Sequence, residues 1–129
     1  MTNIVLDSSA VLAMVYGEPG GTEVHAAIVS PLYAVSISAI NWCEVLTKLA
    51  QKSPIMTAQR LSAILPGVEV VPFGQGDAEQ VAILAKGCPN ISLGDRACLA
   101  LARFLDSSAW TTDKIWAKLP VGAKLEMLR

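Results

Sequence analysis

The sequence predicts an α/β fold: one three-layer α/β/α domain with a mainly parallel central sheet of four to five strands. Short apolar runs rich in β-branched residues recur along the chain, and most are followed by stretches with helical spacing of apolar residues. Strands that alternate with helices are typical of parallel sheets, because parallel strands need a crossover connection. The 129 residues fit a single domain, residues 1–129, with no internal repeat and no interdomain linker.

The first half of the chain opens with an apolar run that ends at Asp7, Ser8 and Ser9, a pattern typical of a strand followed by a helix N-cap. A turn-rich segment at residues 17–21 and a Ser-Pro pair at 53–54 separate the helices that follow. We therefore predict strands at residues 3–6 and 33–36, and helices at 9–16, 21–29, 38–52 and 57–65.

The second half repeats this alternation with shorter elements. A Pro-Gly pair at residues 66–67 and the sequence from Gly87 to Pro89 mark its turns. Residues 94–105 are rich in Ala and Leu, as expected of a helix. We therefore predict strands at residues 68–73, 109–111 and 125–128, and helices at 77–86, 94–105 and 113–119.

Composition restricts the function in two ways. The hydrophobic fraction of 53% and mean hydropathy of +0.47 fit either a well-filled core or an apolar surface covered by a partner. The net charge of −1 lacks the overall basic character of a general nucleic-acid binder. If the protein binds a nucleic acid, affinity must come from a local basic patch or from metal ions.

The three cysteines, Cys43, Cys88 and Cys98, are odd in number and lack metal-site spacing. With His25 as the one histidine, they exclude a zinc site of usual ligand spacing and indicate thiols in a reducing compartment. No secretory signal opens the sequence, and proline, serine and asparagine interrupt the uncharged stretch at residues 26–43. We expect a cytoplasmic protein that does not span a membrane.

Three acidic residues stand where the chain leaves or enters an element: Asp7, Asp95 and Asp113. The carboxyl ends of parallel strands share one edge of the sheet, where open α/β folds bind ligands. A helix of about twelve residues after Asp95 spans ~18 Å and a strand of about five residues returns ~17 Å, so Asp95 and Asp113 are expected at the same edge. Glu44, early in the helix after the second strand, is expected nearby.

Carboxylates brought together raise one another's pKa unless a cation lies between them. Oxygen ligands suit a hard cation such as Mg²⁺ or Mn²⁺. Such a site supports hydrolysis of a phosphodiester, and Ser8, Ser9 and Thr112 add hydroxyls for positioning a ligand. Taken singly, no acid is specific: the aspartates could instead cap helices, and Glu44 could face solvent. Asp77 and Glu79, near a helix start, are interpreted as capping acids.

Four segments, in order, resemble the PIN-domain family, and more specifically VapC toxins of VapBC toxin–antitoxin pairs. They lie around Asp7, Glu44, Asp95 and Asp113 and span nearly the whole chain. The segments are residues 4–13 with 18–20 following, residues 38–45, residues 93–102 beginning Leu-Gly-Asp-Arg-Ala, and residues 111–116.

The resemblance implies that the four acids, Asp7, Glu44, Asp95 and Asp113, are catalytic and bind one or two Mg²⁺ or Mn²⁺ ions. It also implies that the secondary site residues are Ser8, Asn41 and Thr112. Arg96 and Lys114 lie beside two of the acids and are the candidates for phosphate contacts, although either could be a solvated or salt-bridging residue.

The implied function is a metal-dependent endoribonuclease, the toxin of a type II toxin–antitoxin pair, that hydrolyses RNA phosphodiester bonds with metal-activated water. The implied partners are RNA, a VapB-like antitoxin and a second copy in a homodimer. Two alternatives remain. One is another magnesium-dependent phosphoryl-transfer α/β enzyme, although a haloacid-dehalogenase-like phosphatase would have an aspartate where Ser9 stands. The other is a catalytically silent PIN-like module that binds a partner.

Overall fold

The structure, a computed structural model, describes residues 1–52, 58–114, 116 and 124–128. The strands over these ranges are β1 (Thr2–Leu6), β2 (Tyr33–Ser38), β3 (Glu69–Val71), β4 (Ser108–Thr111) and β5 (Lys124–Met127). The helices are α1 (Ser8–Tyr16), α2 (Gly21–Val29), α3 (Ala39–Lys52), α4 (Ala58–Ile64), α5 (Gln75–Gly87) and α6 (Leu93–Phe104). Within the described ranges, no helix has both the length and the apolar character needed to cross a bilayer.

The five strands form one sheet in the order β3-β2-β1-β4-β5, and every pairing is parallel. The central strand β1 pairs with β2 and β4, so that Leu6 lies opposite both Ile37 and Trp110. All five carboxyl ends therefore lie along one edge of the sheet. This arrangement confirms the predicted fold class, a parallel sheet between helical layers.

Alternation along β1 divides the core into two layers. Ile4 and Leu6 project to the face packed against α1, α2 and α3, whereas Val5 projects to the face packed against α6. Each of these three side chains is at most 2% exposed. Since apolar burial contributes about 25 cal/mol per Å² removed from water, these two clusters hold the helices in place on the sheet.

The predicted bounds of the elements within the described residues differ from the observed bounds by at most two residues, and two of these differences have a physical reason. The predicted strand at 68–73 shortens to β3, because Pro72 lacks the backbone N–H that a ladder needs. β2 continues to Ser38, two residues beyond its predicted end, and the Ser38 hydroxyl accepts from the Ile40 amide at 3.2 Å. The predicted helix at 113–119 falls largely outside the described residues.

Candidate active site

Asp7 lies at the junction of β1 and α1, at the carboxyl edge of the sheet, and is 2% exposed. Its Oδ1 accepts from the Ala10 amide at 2.8 Å, which caps α1, and from the Ser9 hydroxyl at 2.7 Å. Its Oδ2 accepts from the Thr111 hydroxyl, at the end of β4, at 2.6 Å. The carboxylate is therefore held rigidly between two neighbouring strands.

Burial raises the pKa of Asp7 from its usual 3.8 to about 6. The hydrogen bonds from Thr111, Ser9 and Ala10 lower this pKa in part, and the negative charge of Asp95 raises it further. Hydrogen bonds alone thus do not compensate for removing this carboxylate from water. A nearby cation would.

Asp113 follows β4 and is half-buried. Its amide donates to the Thr111 hydroxyl at 3.0 Å, and the neighbouring Thr112 amide donates to the Ser9 hydroxyl at 3.0 Å. The backbone beyond β4 is thereby fastened to the start of α1. This places Asp113 at the same edge of the sheet as Asp7.

Asp95 lies in the first turn of α6. Ser92 is the N-cap of this helix, and its hydroxyl accepts from the Asp95 amide at 3.1 Å. Burial raises the pKa of the Asp95 carboxyl, hydrogen bonding to Ser92 opposes the rise, and the charge of Asp113 adds to it. Asp95 therefore interacts with its own helix terminus, as a capping acid does, and also with two other acids of the site.

Glu44 projects from α3 toward the first turn of α6. The Asn41 side-chain amide donates to Glu44 Oε1 at 3.0 Å and to the Gly94 carbonyl at 2.9 Å. The Glu44 carboxylate lies where a side chain at position 94 would begin. Glu44, expected from the sequence to lie near the carboxyl edge, therefore reaches the helix turn that carries Asp95.

Cys98, a fully buried residue of α6, lies within the electrostatic influence of several of the acids. Burial raises the pKa of its thiol well above the usual value, and the charges of Asp7, Asp95 and Glu44 all add to the rise. The charges of three acids thus act on one side chain, and the charge of Asp113 acts on Asp95. All four acids predicted from the sequence meet at the carboxyl edge of the sheet.

The donor set of the site is made of carboxylates, which suits Mg²⁺ or Mn²⁺. In the part of the chain that the structure describes, no three His, Cys, Asp or Glu side chains form a ready-made metal cage. Mg²⁺ usually keeps several waters and binds one or two carboxylates together with substrate phosphates. The carboxylate donors at this edge are therefore of the kind that a hydrated divalent cation takes.

The environment of the acids differs in detail from the prediction. The hydroxyls that bind Asp7 belong to Ser9 and Thr111. Ser8 makes no hydrogen bond to Asp7 among the described residues, and Thr112 donates its backbone amide to the Ser9 hydroxyl. Sequence reasoning missed Thr111, although its place at the end of a strand beside β1 was a usable signal. Ser8 and Thr112 as secondary residues stay predictions.

The two basic candidates lie in different surroundings. The Arg96 guanidinium donates to the Val81 carbonyl of α5 at 3.2 Å, and its buried Nε has no hydrogen-bond partner among the described residues. Arg96 is therefore engaged in packing α6 against α5. Lys114, next to Asp113 in the sequence, is exposed, and its contact with a phosphate stays a prediction.

A cavity of about 500 Å³ lies between α5 and α6, with Leu84 and Phe104 among its lining residues. Its lining includes none of the four acids, so this cavity is separate from the candidate site.

Comparison with known proteins places this geometry in a family. The family model of the PIN domain matches residues 4–122. No curated protein sequence matches the chain. Among solved structures, VapBC2 from Rickettsia felis, bound to a DNA fragment from its promoter, is similar with a TM-score of 0.78 at 14% identity, covering 99% of this chain and 100% of that chain.

Two further structures have the same fold. A toxin–antitoxin complex from Klebsiella pneumoniae has a TM-score of 0.75 at 20% identity, covering 98% of each chain. VapC20 from Mycobacterium tuberculosis, a sarcin–ricin loop cleaving toxin, has a TM-score of 0.66 at 17% identity, covering 89% of this chain and 93% of that chain. Since the family model spans nearly the whole sequence and includes all four clustered acids, the chain belongs to the PIN domain family.

Proposed function

We propose that this protein is a VapC-type toxin: an endoribonuclease that depends on Mg²⁺ or Mn²⁺ and hydrolyses RNA phosphodiester bonds. One observation carries the proposal: four carboxylates meet at one edge of the sheet, and burial and mutual repulsion raise the pKa of two of them. No lysine or arginine of the described residues pairs with Asp7, Glu44 or Asp95. A site with this excess of negative charge calls for a cation.

Each acid has a distinct part in the proposed reaction. Asp7, fixed by three hydrogen bonds, is the rigid metal ligand of the site. Asp95, from α6, and Asp113, after β4, supply further negative charge for the cation. Glu44, reaching across from α3, is suited to orient the attacking water. A bound divalent cation would activate that water and neutralise the charge developing on the phosphodiester.

Membership of the PIN domain family supports nuclease chemistry over the other magnesium-dependent phosphoryl-transfer enzymes. The choice of RNA as substrate is supported by VapC20, a structural neighbour described as cleaving the sarcin–ricin loop. Exposed Lys114, next to Asp113 in the sequence, is the candidate for contacting the phosphates of an RNA strand.

A VapB-like antitoxin and a second copy of the chain are the proposed partners. Structural neighbours from Rickettsia felis and Klebsiella pneumoniae are toxin–antitoxin complexes. Large apolar side chains are exposed on two parts of the surface, at 58% for Val29 and 69% for Leu32, and at 54% for Ile83 and 85% for Phe104. Partners that cover these side chains would account for the high hydrophobic fraction.

The test is cleavage of total cellular RNA by purified, antitoxin-free protein with Mg²⁺, with Mn²⁺ and with chelator. We expect discrete, metal-dependent fragments from the wild type and none from Asp95→Asn. The matched control is Asp106→Asn, because Asp106 is exposed and has a φ of 50°, which asparagine tolerates. Folded wild type that cleaves no RNA with either metal would favour the catalytically silent binding module.

A further inference from the structure

Gly94 is the second residue of α6 and is buried against α3. A Cβ built at this position would overlap both carboxylate oxygens and Cδ of Glu44. Because glycine has a hydrogen atom in place of Cβ, the Glu44 carboxylate can occupy this space. Any other residue at position 94 would force that carboxylate to move.

Asn41 connects the same two groups. It is 1% exposed, and its Nδ2 donates to Glu44 Oε1 at 3.0 Å and to the Gly94 carbonyl at 2.9 Å. Because both neighbours are acceptors, the amide nitrogen must face them, which fixes the orientation of the side chain. Asn41 thereby joins Glu44, one turn further along α3, to a residue 53 positions away in α6.

A glutamate in a cluster of acids needs such restraint. Its side chain is flexible, so ordering it costs conformational entropy, and repulsion from the neighbouring acids favours rotamers that point away. We propose that Asn41 and Gly94 are positioning residues that hold the Glu44 carboxylate against the first turn of α6, the turn that carries Asp95, for binding of a divalent cation. This inference rests on the proposed metal-dependent function.

Gly94→Ala separates a positioning role from a structural one. Alanine is favoured over glycine inside a helix, and the atoms that it would displace are at the end of a flexible side chain. The backbone can therefore stay while the carboxylate moves. We expect thermal stability of the metal-free protein to be retained or raised while cation binding weakens, whereas a purely structural glycine would lose stability and leave the intrinsic affinity unchanged.

The experiment is titration of Mn²⁺ into the purified full chain by isothermal calorimetry. We expect Gly94→Ala to weaken binding by at least about tenfold, as loss of an outer-shell contact typically does. The matched control is Gly76→Ala, because Gly76 is likewise the second residue of its helix, α5, and a Cβ there would meet nothing within 4 Å. Asn41→Ser, too short to bridge its two acceptors, is expected to weaken binding as well.

A double-mutant cycle tests whether Gly94→Ala weakens Mn²⁺ binding through Glu44. In a Glu44→Ala background, Gly94→Ala should produce no further loss of Mn²⁺ affinity, because the displaced carboxylate is already absent. Unchanged affinity in Gly94→Ala, additive losses in the cycle, or a wild type that binds no Mn²⁺ would each overturn the inference. If Mn²⁺ binds and the cycle gives the expected result, but the protein cleaves no RNA, the positioning role is supported. That outcome counts only against the proposed ribonuclease activity.

Discussion

Replacing Asp7 by asparagine should stabilise the metal-free protein while abolishing its activity. Asparagine has the same shape as aspartate, and its side-chain oxygen can still accept from the Ala10 amide, so it remains a good N-cap for α1. The amide nitrogen can face the Thr111 hydroxyl, which is able to act as the acceptor. The substitution therefore removes a buried charge and little else.

The size and sign of the effect follow from the pKa of Asp7. A rise from 3.8 in water to about 6 in the fold corresponds to about 3 kcal/mol, at ~1.4 kcal/mol per pKa unit. Between these two pH values the folded state binds more protons than the unfolded state, so the free energy of unfolding of the wild type falls as pH rises. Above about pH 6 the wild type bears the full free-energy cost of burying the charged Asp7 carboxylate, and Asp7→Asn does not bear this cost.

The assay is urea denaturation in the presence of chelator, at several pH values from below 4 to above 6. The variant and the wild type should have similar stability at the acid end, and the variant should gain up to about 3 kcal/mol at neutral pH. Asp106→Asn, which changes an exposed charge, serves as the control. A difference between Asp7→Asn and wild type that stays constant across this pH range would refute the reasoning.

Three smaller predictions test the surroundings of the site. Thr111→Val should cost about 1–3 kcal/mol in urea denaturation and raise the pKa of Asp7 further in an NMR titration, because it removes the 2.6 Å donor. Ser92→Ala should cost about 1 kcal/mol of unfolding free energy through loss of the α6 cap, and should weaken Mn²⁺ binding through Asp95. Leu99→Ala, at a fully buried position, should lower the free energy of unfolding by about 2–5 kcal/mol while leaving the Mn²⁺ affinity of the remaining folded protein unchanged.

The fold was predictable because its local signals agree with its packing. The Asp-Ser-Ser sequence after an apolar run predicted both the end of β1 and the cap of α1, and Asp7 accepts the expected amide hydrogen bond. β3 was predicted too long because apolar periodicity outweighed the effect of Pro72. Element order and strand direction were sufficient to predict that the acids meet.

The contacts around the acids were not predictable to the same degree. Whether Thr111 or Thr112 turns its hydroxyl toward Asp7 depends on a one-residue difference in side-chain direction, which length arguments do not resolve. The overlap of Glu44 with the space above Gly94 depends on how two helices pack, and neither residue type signals it. Sequence therefore predicted which acids come together at the edge of the sheet but not how they are held.

The hydrogen bond between Asp7 and Thr111 has a kinetic consequence. It joins residues 104 positions apart, and β1 and β4 are neighbours at the centre of the sheet despite this separation. Such non-local pairing gives a high contact order, which slows folding because distant segments must meet before their contacts stabilise the chain. The acid cluster thus forms only when the central strands have paired, and partly folded chains lack the proposed catalytic centre.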